Sequence, residues 1–103
     1  MSKIEQIKAM LKENPADSFL QHALALEYIK AGEEELAKKT FVTLLEANPD
    51  YVGSYYHLAK LYERQGAEQD AIRVYEQGMA VAQRLGEQHA YSELRSAYED
   101  LTY

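Results

Sequence analysis

The stretch Leu24-Ala25-Leu26-Glu27-Tyr28 recurs 34 residues later as Leu58-Ala59-Lys60-Leu61-Tyr62. The same spacing separates Pro15 from Pro49. A fixed period of this length is typical of helical-repeat scaffolds, in which each repeat buries its apolar face against the next. The sequence therefore predicts an all-α protein built from stacked antiparallel helix pairs.

Prolines, glycines and capping residues indicate where the helices begin and end. Ser2 and Glu5 have the spacing of a capping box, which opens a first helix. Asn14 precedes Pro15 and is predicted to cap the second helix, because proline suits a first helical turn. Gly32 fits a left-handed turn after a helix end. The remaining predicted helices span residues 15–31, 33–47, 49–65, 67–85 and 88–101.

The length of 103 residues predicts one small domain over residues 1–103. Within it we expect a half-repeat helix at 1–14, a first repeat at 15–48 and a second repeat at 49–86. Residues 87–103 are expected to form a C-terminal capping helix, whose polar side would face solvent.

Side-chain size predicts how the helices pack. Alanines recur where two helices must approach closely, and large aromatic residues recur between them: Ala25, Ala37, Ala59 and Ala71, with Tyr28, Phe41, Tyr62 and Tyr75. Tyr55 is also expected to pack internally. For Phe19, internal packing is favoured over exposure on the groove-facing side of its helix. Gly78 lies inside the fifth helix, where glycine is unfavourable, and predicts a close contact with another helix.

Composition excludes several functional classes. The net charge of −6 would repel a phosphate backbone, so we expect no nucleic-acid partner. The absence of cysteine excludes a disulfide framework and thiolate metal sites. We find neither a signal-peptide pattern nor an apolar run long enough for a membrane span, and therefore expect a cytoplasmic protein.

No residue pattern indicates catalysis. His22, His57 and His89 are isolated in sequence and lack the three- or four-residue spacing of helical zinc ligands. The serines lack a nucleophile-elbow setting, and the glycines form no phosphate-binding loop. The sequence therefore predicts no enzyme activity, no metal site and no cofactor.

The repeated pattern resembles the tetratricopeptide repeat (TPR), in the form of a short stand-alone bacterial-type domain. The resemblance covers about residues 10–82. It rests in the second copy on Tyr55, Leu58, Ala59, Tyr62, Ala71 and Tyr75, and in the first on Leu24, Ala25, Tyr28, Ala37, Phe41 and Pro49. Gln21 departs from the pattern where an aromatic residue is usual, and Gln83 departs where proline is usual. The resemblance implies a short right-handed α-solenoid of about six helices.

The resemblance also implies a concave groove that binds a peptide or protein segment. Helical phase places seven residues there: His22, Leu26, Ile29, Gly53, Tyr56, Lys60 and Glu63. An apolar floor, an aromatic side and one lysine would suit an amphipathic or acidic-tailed segment. The two-carboxylate clamp of some family members is not carried over, because His22 and Leu26 occupy its first basic and amide positions.

Two functions follow from these patterns. The first is a non-catalytic scaffold or adaptor that binds a protein partner in the groove. The alternative is a self-associating structural module that forms a homodimer through exposed repeat ends, because two full repeats are fewer than the three that usually give stability. A monomer or a weak homodimer is expected, and the identity of the partner is not encoded in any motif.

Overall fold

A computed structural model describes residues 1–103 and contains six α-helices and no β-strand. The helices are α1 Lys3–Glu13, α2 Ser18–Lys30, α3 Glu34–Ala47, α4 Gly53–Arg64, α5 Glu68–Leu85 and α6 Gln88–Thr102. The predicted all-α class is confirmed. No helix is both long enough and apolar enough to span a bilayer.

Polar side chains begin the first two helices. The Glu5 amide donates to Ser2 Oγ at 3.1 Å, and the Ser2 amide donates to Glu5 Oε1, which confirms the capping box. The prediction for α2 was wrong: its N-cap is Asp17, whose Oδ1 accepts from the Leu20 amide at 3.0 Å. Asn14 instead ends α1 with φ −137° and ψ 71°. Proline restricts the residue before it to extended backbone, so Asn14 cannot adopt the helical conformation.

The start of α4 is also later than predicted. Asn48 ends α3 with φ −138° and ψ 78°, and α4 begins only at Gly53, four residues after the predicted start at Pro49. The Ser54 amide donates to the Tyr51 carbonyl at 3.2 Å, so a turn precedes the helix.

Three glycines close the helix ends with the same geometry. Gly32, Gly66 and Gly86 have φ of 77°, 75° and 73°, a region that other residues rarely adopt. The Gly32 amide donates to the Ile29 carbonyl, and the Glu33 amide donates to the Tyr28 carbonyl. These two bonds define a Schellman motif, and the corresponding bonds recur at Gly66 and Gly86. The predicted left-handed turn at Gly32 is confirmed.

The chain divides into two compact units, Met1–Asn48 and Pro49–Tyr103. In unit 1, α2 packs against both α1 and α3. Its core contains the predicted small and aromatic residues, with Ala25, Ala37 and Phe41 fully buried and Tyr28 nearly so. The expectation for Phe19 was wrong: it is 69% exposed, because it lies in the first turn of α2 on the side away from the core.

In unit 2, α5 packs against both α4 and α6, and α6 also contacts α4. Ala59, Ala71 and Tyr75 are fully buried, as predicted. Tyr62 is only half-buried, which corrects the expectation that it fills the core. Leu61 takes the fully buried position, since it shares one helical face with Leu58 three residues earlier.

Gly78 confirms the predicted close approach. A Cβ at this position would lie 2.7 Å from Tyr55 Cβ on α4 and 3.0 Å from Leu94 Cδ1 on α6. The three helices of unit 2 therefore meet at a residue without a side chain, and this meeting point fixes α6 beside α4.

Gln21, which occupies a position where the family usually has an aromatic residue, makes the same kind of hydrogen bond as Tyr55 in the second copy. Gln21 Nε2 donates to the Pro15 carbonyl at 3.0 Å. Tyr55, the residue 34 positions later, donates from its hydroxyl to the Pro49 carbonyl at 2.6 Å. The two copies thus use different side chains to donate to the carbonyl oxygen of the corresponding proline, and the amide of Gln21 keeps the contact that the tyrosine hydroxyl makes in the second copy.

Candidate functional site

The largest cavity that we describe lies in unit 2, between α4 and α6. It has a volume of about 380 Å³. Tyr56 and Lys60 line it from α4, while α6 supplies His89, Ser92, Glu93, Ser96, Ala97 and Asp100. We refer to this cavity as the α4–α6 groove.

The α6 wall follows from helical spacing. Residues at positions 89, 92, 93, 96 and 100 recur every three or four residues, so they share one face of the helix. Leu94 lies on another side, is 1% exposed and contacts the Gly78 position of α5. The Tyr98 hydroxyl donates to Glu76 Oε2 at 3.2 Å, which adds a second attachment of α6 to α5. Burial on one side therefore holds the polar side toward the groove.

A chain of contacts holds Lys60 on the α4 wall. Its Nζ lies 5.6 Å from the centre of the Tyr56 ring and 3.5 Å from Glu63 Oε2. The same Glu63 oxygen accepts a hydrogen bond from the Tyr75 hydroxyl on α5. Because Tyr75 is fully buried, it anchors the exposed end of this chain to the core.

Burial shifts the pKa of two groups beside the groove. It raises the pKa of Tyr75, and the hydrogen bond to Glu63 raises it further because a phenolate would face a carboxylate. Burial lowers the pKa of His57, while the charge of Glu93 acts in the opposite direction. Both groups therefore stay neutral near pH 7, and the fixed charges of the groove come from other residues.

Those fixed charges are mainly negative. Glu93 and Asp100 line the α6 wall, and the positive charge of Lys60 is paired with Glu63. His89 Nε2 lies 3.6 Å from Glu93 Oε2, and its side chain is 89% exposed. The predicted groove had one positive charge, Lys60; α6 adds two carboxylates that the helical projection of α4 alone could not include.

The structure brings together only part of the predicted site. Tyr56 and Lys60 line the α4–α6 groove, and Glu63 holds Lys60. Gly53 is exposed at the start of α4, with open space around its Cα. Within unit 1, the other three predicted residues are half-buried on α2: His22, Leu26 and Ile29. The seven-residue site as a whole stays a prediction.

His22 has a structural role in unit 1. Its ring contacts the edge of the Phe41 ring, with centroids 5.6 Å apart. This contact places the imidazole over the core between α2 and α3, so part of its surface is already used in packing.

The α6 wall is what sequence reasoning missed. The predicted role of this helix was a solvating cap, and its polar residues were assigned to solvent. The available signal was the recurrence of small and charged residues at positions 89, 92, 93, 96 and 100, which lie on a single face.

Unit 1 carries a second, smaller groove of about 230 Å³ on α2 and α3. We refer to it as the α2–α3 groove. It is lined by Gln21, Tyr28, Leu36, Lys39, Thr40 and Thr43. Leu36 is 43% exposed there, so the groove presents apolar surface to its surroundings.

Comparison with solved structures supports the fold. A tetratricopeptide repeat domain protein from Salinibacter ruber, solved by NMR, is 46% identical and superimposes with a TM-score of 0.81; the match covers 84% of this chain and 88% of that one. Protein BPP2914 from Bordetella parapertussis is 25% identical with a TM-score of 0.85, covering 99% of this chain and 89% of that one.

The relatives found by sequence comparison are also named as tetratricopeptide repeat proteins. A TPR repeat-containing protein of Pseudomonas aeruginosa, PA0015, is 29% identical over 91 residues, which cover 88% of this chain and 87% of that protein. Tetratricopeptide repeat protein 37 of Xenopus laevis is 30% identical over 74 residues, or 72% of this chain, but the match spans only 5% of its own length.

The family model described as tetratricopeptide repeat matches residues 20–51 and 52–84, which together exceed half of the chain. Repeats of this family generally mediate protein–protein interaction and are generally non-catalytic. These two matched segments overlap the two copies that the 34-residue period indicates, with starts three to five residues later than the predicted repeats at 15–48 and 49–86. The chain therefore belongs to the tetratricopeptide repeat family.

Proposed function

We propose that this protein is a non-catalytic adaptor or scaffold of the cytoplasm that binds a peptide or protein segment in the α4–α6 groove. The observation that carries the proposal is the pairing of two preformed walls. One presents Tyr56 with Lys60 held against its ring, and the other presents the polar face of α6.

These walls suit recognition for physical reasons. A tyrosine ring offers a large contact area and loses little side-chain entropy on binding. The chain from Tyr75 through Glu63 to Lys60 restricts the lysine before any partner arrives, which lowers the entropic cost of association. A cavity of about 380 Å³ accommodates a few side chains, so we expect micromolar affinity.

The experiment selects peptides from a phage-displayed random library on the wild-type chain and maps each selected peptide by ¹⁵N NMR titration. We expect shifts in the amides of Tyr56, Ser92 and Ser96. The double variant Tyr56→Ala/Lys60→Ala should lose binding while its helical circular dichroism is unchanged.

A matched control removes the same two residue types outside the groove. Tyr103 is 95% exposed and Lys12 is exposed at the end of α1, so Lys12→Ala/Tyr103→Ala should bind like wild type. Failure to select any peptide, or selected peptides that shift only amides outside the groove, would refute the proposal.

Self-association is a second candidate, favoured by the α2–α3 groove of unit 1. The exposed Leu36 there could be covered by an apolar side chain of a second copy. Light scattering across micromolar to millimolar concentrations tests this candidate. A concentration-dependent dimer that Leu36→Glu abolishes would support it, and a monomer at every concentration would exclude it.

A further inference from the structure

We propose that the α4–α6 groove selects segments that carry a lysine or arginine, whose cation binds against Glu93 and Asp100. This inference rests on the proposed function, since it names the chemistry of the segment that the same groove takes. It differs from the sequence expectation of an acidic-tailed segment, because the charges of both walls are now counted.

Lys60, the lysine that lines the groove, attracts an acidic ligand only weakly because it is already paired with Glu63. Lys60 lies 3.5 Å from Glu63, and the side chains of the two residues are only 35% and 26% exposed. The Tyr75 hydroxyl holds Glu63 in this position from the core side. A carboxylate entering the groove would have to compete with Glu63 for the ammonium group, so an acidic ligand is disfavoured.

The two α6 carboxylates lack such compensation. Glu93 lies 3.6 Å from His89, an 89% exposed histidine that carries a charge only when protonated. It also faces His57, whose pKa is lowered by burial, so neither neighbour supplies a fixed positive charge. Asp100 is exposed on the same wall, seven residues further along the helix. The helix rises about 1.5 Å per residue, so seven residues correspond to roughly 10 Å, or two turns. This spacing leaves room for one extended segment to contact both carboxylates.

Two hydroxyl groups accompany the acids: Ser92 directly precedes Glu93, and Ser96 lies between Glu93 and Asp100. Ser92 and Ser96 are four residues apart on the groove face of α6, and each can donate and accept a hydrogen bond. They can therefore pair with the backbone of a segment whose cationic side chain reaches Glu93 or Asp100. The two serines of α6 can therefore bind the backbone of a segment, while the two acids of the same helix select its charge.

The negative charge extends across the groove to the neighbouring helices. Glu93 acts on the imidazole of His57 in α4, where its charge raises the pKa against the larger effect of burial. Asp100 contributes to the raised pKa of Tyr75 in α5. A cation in the groove would lie in the field of both acids, and the ion pair of Lys60 with Glu63 reduces the opposing field of the lysine.

The experiment uses three pools of capped octapeptides with identical random flanks and one fixed central residue: lysine, glutamine or glutamate. Each pool is titrated into the ¹⁵N-labelled full chain at low and at high salt. We expect the lysine pool to shift the amides of Tyr56, Ser92 and Ser96 at about three- to tenfold lower concentration than the glutamine pool, with the glutamate pool weakest. High salt should reduce this difference, because exposed charges are screened.

Variants locate the source of the preference. Glu93→Gln/Asp100→Asn removes both charges and nearly preserves side-chain shape, so the lysine pool should bind no better than the glutamine pool. The control Glu13→Gln/Glu46→Gln makes the same change in net charge at two exposed positions of unit 1 and should keep the preference.

The outcomes separate the two proposals. Equal binding by the three pools at the groove amides, or a preference that survives in Glu93→Gln/Asp100→Asn, overturns the charge inference and leaves groove binding intact. Pools that shift no groove amide at all overturn both. The full predicted pattern in wild type, with loss only in the groove variant, supports both.

Discussion

Replacing Gly78 with alanine tests the packing that positions the groove. The added Cβ would lie 2.7 Å from Tyr55 Cβ, a distance that real Cβ atoms essentially never show. Tyr55 Cβ is bonded directly to the backbone of α4, so it cannot rotate away and the helix itself must shift. Leu94 Cδ1 lies 3.0 Å away and can move more easily, since it ends a flexible side chain.

The magnitude follows from two opposing effects. Overpacking a core by one methyl group costs about 1–3 kcal/mol. Replacing glycine with alanine in a helix interior stabilises the helix by about 1 kcal/mol, because alanine has the higher helix propensity. Because the 2.7 Å contact forces α4 to shift, we expect an overpacking cost in the upper part of its range, about 2–3 kcal/mol. Gly78→Ala should therefore lower the free energy of unfolding by about 1–2 kcal/mol, with a melting temperature roughly 5–15 °C lower for a chain of this size.

The assay is urea denaturation followed by far-UV circular dichroism, with Gly53→Ala as the matched control. No atom lies within 4 Å of a Cβ at Gly53, so the control should stay within about 0.5 kcal/mol of wild type. Gly78→Ala should also weaken peptide binding, because α6 would move relative to α4. A Gly78→Ala protein as stable as wild type, or more stable, would refute the packing that we describe.

Other predictions concern a buried hydroxyl, a histidine and a helix cap. Tyr75→Phe removes the hydrogen bond to Glu63 and should lower stability by about 1–2 kcal/mol at neutral pH in urea denaturation. Because the folded pKa of Tyr75 is raised, its contribution is complete below its ordinary value of about 10 and is lost as pH rises further; Tyr75→Phe should lose less stability on the alkaline side. The folded pKa of His57 is lowered, so its contribution is present above about 6.5 and is lost as pH falls, and His57→Gln should flatten this acid decline. Asp17→Ala should cost about 1 kcal/mol by removing the α2 cap, whereas Asn14→Ala should cost clearly less if Asp17 is the cap.

The sequence predicted those features of the fold that local chemistry decides. Gly32 adopts a left-handed turn because few other residues tolerate that backbone conformation. Ala25 and Ala59 are fully buried because only small residues allow two helices to approach closely. Each of these inferences needed only a residue type and its position in the 34-residue period.

The helix starts were harder to predict because two rules compete after each asparagine. Proline is favourable in a first helical turn, which suggested helices beginning at Pro15 and Pro49. Proline also disfavours the helical conformation in the residue before it, so Asn14 and Asn48 end the preceding helices, and in this chain a turn after each proline delays the next helix. The side chain of Asp17, two residues beyond Pro15, then determines where α2 begins.

The groove was predicted only in part because it depends on contacts between helices. Helical phase identified Tyr56 and Lys60 on α4. The ion pair of Lys60 with Glu63 is a three-residue contact that spacing can indicate, but its anchor is Tyr75, twelve residues beyond Glu63 on another helix. The α6 wall depends on the close approach at Gly78, which the sequence indicated without identifying the helices that meet there.

The three glycine turns have a kinetic consequence. Each satisfies its helix-end carbonyls through amides only three and five residues away, such as Gly32 to Ile29 and Glu33 to Tyr28. Such a turn can form before any distant part of the chain has been ordered, because its bonds close within one short segment. The two helices that flank the turn can then pack together at a small entropic cost, because the loop that joins them is short. Chains whose contacts are close in sequence fold fast, and we therefore expect this protein to fold in microseconds to milliseconds, as helical bundles do.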